Sequence, residues 1–575
     1  MFFRQKKSGN RTYLQIVENR RQDGRVRQRV LLTLGRLDEL KSSGALESLL
    51  SSGARFSEQF SMLATAEADA EGERLSCLRI GAALLFERLW KETGIGAVLD
   101  ELLNDRGFEF PVERAIFAAV VHRLFISGSD RACEKWLADY RINGARGLQL
   151  HHFYRAMAWL GEELAPEDQD GATLQAPRCV KDVIEEALFA RRRDLFSDLS
   201  VVFMDTTSLS FTGAGGETLG ERGYSKDHRP DLMQMILCVV IDGAGRPVCT
   251  EMWPGNTADV TILVPVVDRL RARFGIGRVC VVADRGMISR DTIAALEERG
   301  LEYILGARER SDKTVRDVVL ADAAPFIPLV IERAGGKETA LEAKAVTVGG
   351  VRYVVCRNPA EARKDAADRV AILEGLEKQL AKGDKAVIGN SAYRRFITTA
   401  KGHRFEIDHD KAEAEARFDG ISVLRTNTTL NPLSVMLRYR DLLVVEALFR
   451  SAKSLMRTRP IYHSSDAAIR GHVFCSFLAL VLRKELMERC RDAGMKPEWM
   501  DVLLDLNRLQ EVTIERGAMT YTVRTEATGC VPALFKAVHL ALPPRMRTAG
   551  SSPTKKRRSK PEKRTRPRKR SATKS

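Results

Sequence analysis

Leu199–Phe211 reads LSVVFMDTTSLSF, an apolar run broken by one carboxylate, Asp205, and then by hydroxyl-bearing residues. Val201–Met204 has the composition of a buried strand. A carboxylate at the end of such a run sits at a sheet edge, is paired or is bound to a cation, because burying it alone is costly. Arg278–Gly286, RVCVVADRG, repeats the design: an apolar strand, then Asp284, then Arg285-Gly286. Either aspartate alone reads equally as a strand-end or capping residue. If the two strands are neighbours, the pair points to one place.

The segments around these strands supply an order. Met233–Ile241 (MQMILCVVI) reads as a second strand and Arg246–Met252 as a third, joined through Asp242-Gly243. Ala258–Phe274 reads as a helix, Ser289–Arg299 as another, and Glu302–Gly306 as a further strand. The succession β-β-β-α-β-α-β is that of an RNase-H-like core, an α/β fold with helices against a mixed sheet. Residues 307–425 differ: short β-prone runs (Val346–Val348, Val351–Val355, Ile421–Arg425) surround one charged helical stretch, Ala360–Lys382. They read as a β-rich insertion. Residues 431–458 and 465–493 then read as long helices.

A third carboxylate is expected on the first of these helices. Residues 439–453 are YRDLLVVEALFRSAK. Tyr439, Glu446 and Lys453 recur every seven residues, which on a helix drifts only about 20° per step, so they share a face. Arg450 lies one turn past Glu446 on the same side. Three converging carboxylates make an oxygen site for hard divalent cations, two Mg²⁺ ions with Mn²⁺ as the alternative. Such a pair serves in-line attack at phosphorus.

Charge is unevenly placed. The chain has 575 residues and a net charge of +16, yet the last 25 hold twelve Lys/Arg against one Glu. Residues 551–575 therefore read as a disordered basic tail suited to nucleic-acid phosphates. At the other end, Thr12–Glu18 and Val26–Leu34 flank Asp23-Gly24, a hairpin turn pair. Alternation puts Arg25, Arg27 and Arg29 on one face, a stripe that touches DNA or faces water. The expected organisation is a β-hairpin region (1–50), a helical DNA-binding region (75–195), a core in two parts (196–306 and 426–500) split by the insertion (307–425), a C-terminal region (501–550) and the tail. No apolar run reaches the roughly 20 residues of a membrane span and none reads as a signal peptide. The ten scattered cysteines read as reduced thiols. The expected location is the cytoplasm.

These blocks resemble the DDE transposases of bacterial insertion sequences, in the IS-four group, whose signature is Tyr-x2-Arg-x3-Glu-x6-Lys. Tyr439, Glu446 and Lys453 stand in register with it, and Leu442 stands where the group has arginine. Gly223–Gln234 (GYSKDHRPDLMQ), Pro254–Asp259 (PGNTAD), Phe418–Asn427 (FDGISVLRTN) and Arg470–Leu480 (RGHVFCSFLAL) also look familiar for the group. The resemblance spans roughly residues 10–495. It implies Asp205, Asp284 and Glu446 as catalytic and metal-binding residues, transposon ends and target DNA as partners, and a homodimer in the synaptic complex. Tyr439, Arg450, Lys453, Lys226, Arg229 and Arg285 are the expected DNA contacts. Leu442 weakens the phosphate contact on which a hairpin intermediate depends, and Arg440 or Arg450 are the candidates to replace it. The alternative is a non-catalytic or domesticated DNA-binding derivative. Asp259 reads as a helix cap, and His472 as a packed core histidine.

Overall fold

The computed structural model describes residues 2–9, 11–22, 25–43, 73–126, 128–173, 175–192, 201–226, 228–275, 279–332, 338–381, 391–399, 405–442, 445, 461–516 and 519–549. The chain forms two compact units, one of residues 1–78, 510–526 and 543–575, the other of residues 79–509 and 527–542.

In the first unit, β1 (Phe2–Ser8), β2 (Arg11–Gln22) and β3 (Arg25–Arg36) make an antiparallel sheet in that order. The expected hairpin is present as β2–β3, and its Asp23-Gly24 turn lies outside the described residues. The sequence reading missed β1, whose FFRQKKS lacks apolar–polar alternation. A second sheet pairs β4 (Glu73–Arg79) with Gln510–Arg516, and that strand with Met519–Arg524 and then Met546–Ala549. The stretch read only as a C-terminal region thus supplies three strands to the same unit as the N-terminal sheet.

The second unit contains both the helical stretch and the large sheet. Helices α1 (Gly81–Glu92), α2 (Ile95–Leu103), α3 (Val112–Phe125), α4 (Asp130–Leu137), α5 (Leu150–Leu160) and α6 (Val180–Arg192) share one apolar cluster. The 27-residue helix Asp466–Asp492 enters that same cluster through Phe474, Phe477, Leu478 and Leu482. Its middle, Val473–Leu482, is almost wholly apolar and buried all round, as expected for a segment surrounded by core, and its C-terminal part is charged. Gly471 is the point of closest approach: a Cβ there would fall 1.9 Å from the Met157 carbonyl oxygen of α5.

Among the described residues the sheet has nine strands. In chain order they are β5 (Val201–Ser210), β6 (Gln234–Asp242), β7 (Pro247–Pro254), β8 (Cys280–Ala283), β9 (Glu302–Gly306), β10 (Ile327–Glu332), β11 (Glu338–Val348), β12 (Val351–Arg357) and, past a small hairpin of β13 (Ile397–Thr399) and β14 (Phe405–Ile407), β15 (Ile421–Thr426). Their spatial order is β10-β11-β12-β15-β9-β8-β5-β6-β7. β5, β8 and β9 run parallel, and every other pairing is antiparallel. The part β7-β6-β5-β8-β9 is consistent with the RNase-H-like core read from element order. β15, β12, β11 and β10 continue the same sheet beyond β9.

Alternation sorts the strands into two faces. Val202, Met204, Val281 and Ala283 pack under α7 (Asp259–Phe274) and α8 (Arg290–Glu298). Val201, Phe203, Cys280 and Val282 pack on the other face with Val435 and Met436 of Pro432–Arg440, and with Leu442 and Val445.

A buried ion network joins the helical stretch to the sheet edge at β7. Arg273 of α7 reaches Asp182 (3.1 Å), Glu185 (2.7 Å) and Glu251 of β7 (2.8 Å). Lys181 holds Asp182 at 2.7 Å and the Thr250 carbonyl at 2.7 Å. Arg269 holds Glu251 at 3.0 Å. All six charged groups are buried.

Candidate active site

The two aspartates emerge side by side because the strands carrying them are neighbours in register. β5 pairs parallel with β8, and the last pair is Met204↔Ala283. Asp205 and Asp284 follow directly, on strands about 4.8 Å apart. Asp284 is still extended backbone, with φ −75° and ψ 160°. Val201, Phe203, Cys280 and Val282 alternate onto one face, and continuing that alternation sends both carboxylates out on it. Both line one cleft of about 520 Å³, together with Arg285, Gly306, Glu309, Arg357, Tyr439 and Arg440.

Each carboxylate has local support. The Thr206 amide donates to Asp205 Oδ1 at 2.7 Å. The Tyr439 hydroxyl donates to Asp284 Oδ1 at 3.1 Å. Burial, and then the Asp284 charge, pushes the Tyr439 phenol well above its ordinary range, so it stays a donor throughout the neutral and mildly alkaline range. The hydroxyl reaches Asp284 by passing over Gly306, where a Cβ would fall 2.4 Å from it. Gly306 is thus a position on which the Tyr439–Asp284 contact depends and which the sequence reading overlooked; its placement at the end of EYILG was its one signal. Gly306→Ala is expected to displace Tyr439 and lower cleavage about as much as Tyr439→Phe does. A Gly306→Ala/Tyr439→Phe double variant checks this, because the two losses should not add.

Lys226 approaches from the opposite side of the sheet. Its ammonium donates to the Thr206 carbonyl (2.7 Å) and hydroxyl (2.6 Å) and to Asp259 Oδ2 (2.9 Å). Three partners satisfy the three donors of a lysine. Lys226 thereby ties down the residue whose amide holds Asp205. Asp259 is the first residue of α7; the N-cap is Ala258, with no side-chain cap bond. The capping role expected for Asp259 is therefore corrected: its carboxylate is turned to Lys226.

The other expected residues are placed as follows. Arg285 is 3.5 Å from Glu309, a buried carboxylate that Arg310 also holds at 2.7 Å. Arg229 pairs with Asp231 at 2.8 Å on the surface. Leu442, where the resemblance has arginine, is buried in the apolar cluster, whereas Arg440 is exposed and lines the cleft. Glu446, Arg450 and Lys453 lie outside the described residues, and Val445 is buried on the face that carries the two aspartates.

A divalent cation fits the donor set in hand: two carboxylates from adjacent strand ends, open to a cleft, offer the oxygen ligands that hard cations take. Asp130, His463 and His472 form another group of candidate metal ligands. There, however, Arg123 lies 3.4 Å from Asp130 and 2.9 Å from His472 Nδ1, and all but His463 are buried. A dication beside that guanidinium would leave excess buried positive charge, so the arginine already fills the cation's place. His472 is a packed histidine, as expected.

Comparison with known proteins gives the class. Residues 196–482 match the family described as Transposase DDE domain, and residues 3–68 match IS1634 family transposase, N-terminal domain. Together the matches cover more than half of the chain, which belongs to the DDE transposases of insertion sequences. It is an enzyme that acts on DNA as a nuclease and strand transferase, and the DDE domain implies divalent-metal use. No curated protein matches the chain. Among solved structures it is similar to piggyBac transposase in a synaptic complex with hairpin DNA, at 11% identity and a TM-score of 0.34, over 74% of this chain and 77% of that one. It is also similar to Mos1 transposase in a paired-end complex with its left transposon end, at 12% identity and a TM-score of 0.13, over 39% and 76%. No helix among the described residues is long and apolar enough to cross a membrane.

Proposed function

We propose that Asp205, Asp284 and Glu446 are the carboxylates with which this transposase cuts its element's terminal repeats and joins them to target DNA. The observation that carries this reading is the Met204↔Ala283 register, which delivers two aspartates to one face and one cleft. The three carboxylates would hold Mg²⁺, with Mn²⁺ as a substitute. When bound, such ions lower the pKa of the attacking water or 3′-hydroxyl and stabilise the leaving oxygen. Within the chain, Tyr439 orients Asp284, and Lys226 holds Asp205 through Thr206. Arg285 and Arg440 stand on the cleft wall where a scissile phosphate needs positive charge.

The finer family reading is the IS-four group, supported by Tyr439, Glu446 and Lys453 in register. Arg440 takes over the phosphate contact, because Leu442 is committed to the apolar core. Residues 307–425 are the insertion between the second aspartate and the glutamate. Two ends must be brought together, which favours a homodimer in the synaptic complex.

The test is to incubate the protein with duplexes of the element's ends in Mg²⁺, Mn²⁺ or EDTA, beside Asp205→Ala. Nicked or excised ends that need both the cation and Asp205, and joined products with target DNA, are the expected result. Binding without cation-dependent cleavage would return the non-catalytic reading.

A further inference from the structure

The first 36 residues hold ten Lys/Arg against two Asp/Glu, a net +8. With the tail contributing +11 of the chain's +16, residues 37–550 carry a net −3. Outside the last 25 residues, net positive charge is therefore concentrated in residues 1–36, which hold β1–β3.

The register of that sheet shows where it is concentrated. β1 pairs with β2 only over Arg11–Val17, whereas β2 and β3 remain paired out to Gln22↔Arg25. Among the described residues, 18–22 and 25–29 therefore run on as a two-stranded ribbon without a third strand. Five paired residues at about 3.4 Å each give it a length of about 17 Å. It carries five arginines (Arg20, Arg21, Arg25, Arg27 and Arg29) and three side-chain amides, against one acid, Glu18. The pair Arg20↔Arg27 sets two arginines at opposed positions, while Arg29 stands opposite Glu18. Asn19, Arg27, Gln28 and Arg29 are exposed, and Arg29 stays 3.9 Å from Glu18, too far for a hydrogen bond.

Arginines at directly opposed positions of an antiparallel pair are destabilising unless something neutralises them, and one acid among five arginines leaves the ribbon strongly positive. The B-DNA major groove, about 12 Å wide, admits a two-stranded ribbon. Arginine and side-chain amides are the groups that bond guanine and adenine edges in pairs. Arginine also bonds phosphate through a fork that lysine lacks.

We propose that residues 18–22 and 25–29 are a β-ribbon that enters the major groove of the element's ends and reads their sequence. This rests on the transposase reading but assigns end recognition to the N-terminal sheet, where the sequence alone had pointed to the helical stretch 75–195. That stretch instead packs around Asp466–Asp492 within the unit that holds the catalytic sheet.

The test uses the full chain and two duplexes, one carrying the element's end and one with the same composition scrambled. Binding is measured by fluorescence anisotropy over a salt series, for wild type, R27Q/R29Q and R27K/R29K. R27Q/R29Q is expected to bind the end about tenfold or more weakly, the scale of a lost paired base contact. Its salt slope should fall by up to about two for the phosphate contacts removed. R27K/R29K keeps the charge, so it should bind both duplexes comparably and lose the preference for the end. Far-ultraviolet circular dichroism and an unchanged melting temperature establish that the variants fold. Variants that fold and keep wild-type affinity and preference would overturn the ribbon, as would a wild type preferring RNA of the same sequence. If wild type cuts its ends while both variants bind them normally, only the ribbon fails. If wild type neither prefers nor cuts its ends, the transposase reading fails first.

Discussion

Asp284→Asn is expected to lower cation-dependent cleavage by about three orders of magnitude or more while leaving DNA affinity within about twofold. The argument starts from geometry. Asp205 and Asp284 are the two carboxylates that the β5–β8 register brings to one cleft. Asparagine keeps the shape and one oxygen but removes the negative charge that a hard dication takes as ligand. It also alters the Tyr439 contact, since the hydroxyl donates to Asp284 Oδ1 and an amide group placed there can oppose donor to donor. Single-turnover cleavage of an end duplex, measured beside anisotropy binding, separates the two effects. Loss of binding in parallel with cleavage would show that Asp284 holds the fold or the DNA and not the reacting metal. A residual rate rising severalfold in Mn²⁺ over Mg²⁺ would point to weakened cation binding.

Arg273→Ala is expected to destabilise the second unit by about 3–5 kcal/mol, the range for removing one partner from a buried ion pair. Arg273 meets Asp182, Glu185 and Glu251 at once, and its side chain is 1% exposed. An equivalent change at Arg229, whose pair with Asp231 is solvent-exposed, should leave the stability close to wild type. Burial alone would raise the Asp182 carboxyl, but Lys181, Arg273 and Arg269 more than offset it and hold the group below its ordinary range. The stability Asp182 contributes is therefore present above its unfolded value, about pH 4. It is lost as pH falls through the lower folded value. Removing Arg273 takes away one of those cations, so acid unfolding should move to higher pH as well as the melting temperature falling. Denaturant melts at neutral pH and an acid titration check both. An Arg273→Ala protein as stable as Arg229→Ala would sink the argument.

Much of the catalytic sheet was legible because its strands are short apolar runs that end in a polar residue. VVFMD and VCVVAD announce a strand and the carboxylate at its end together, and their adjacency follows from the order of elements. The strands at Val346–Val348, Val351–Val355 and Ile421–Arg425 were legible as short β-prone runs. Less legible were features set by distant partners. Lys226 read as a phosphate contact because nothing local reveals that Thr206 and Asp259 use all its donors. Asp259 read as a cap for want of that same partner. Gly306 looked like a strand terminator until Tyr439, 133 positions later, was seen passing over it. Asp466–Asp492 read as a helix, but its apolar stretch Val473–Leu482 does not say which neighbours it buries. β1 was missed because a mostly polar edge strand is specified by its partner more than by its own residues.

The sheet also bears on how the chain can change length. Strands β12 and β15 are hydrogen-bonded neighbours, and their last register pair is Arg357↔Ile421. Antiparallel partners stand about 5 Å apart. The described residues between them, including the 22-residue helix Pro359–Leu380 and the β13–β14 hairpin, lie outside the sheet, and the chain returns to it at almost the same point. Such an excursion is a module hung on a closed doorway. It can be lengthened, shortened or exchanged among relatives without moving the strands that carry Asp205 and Asp284, so lineage-specific variation has a place to accumulate at little cost to the chemistry.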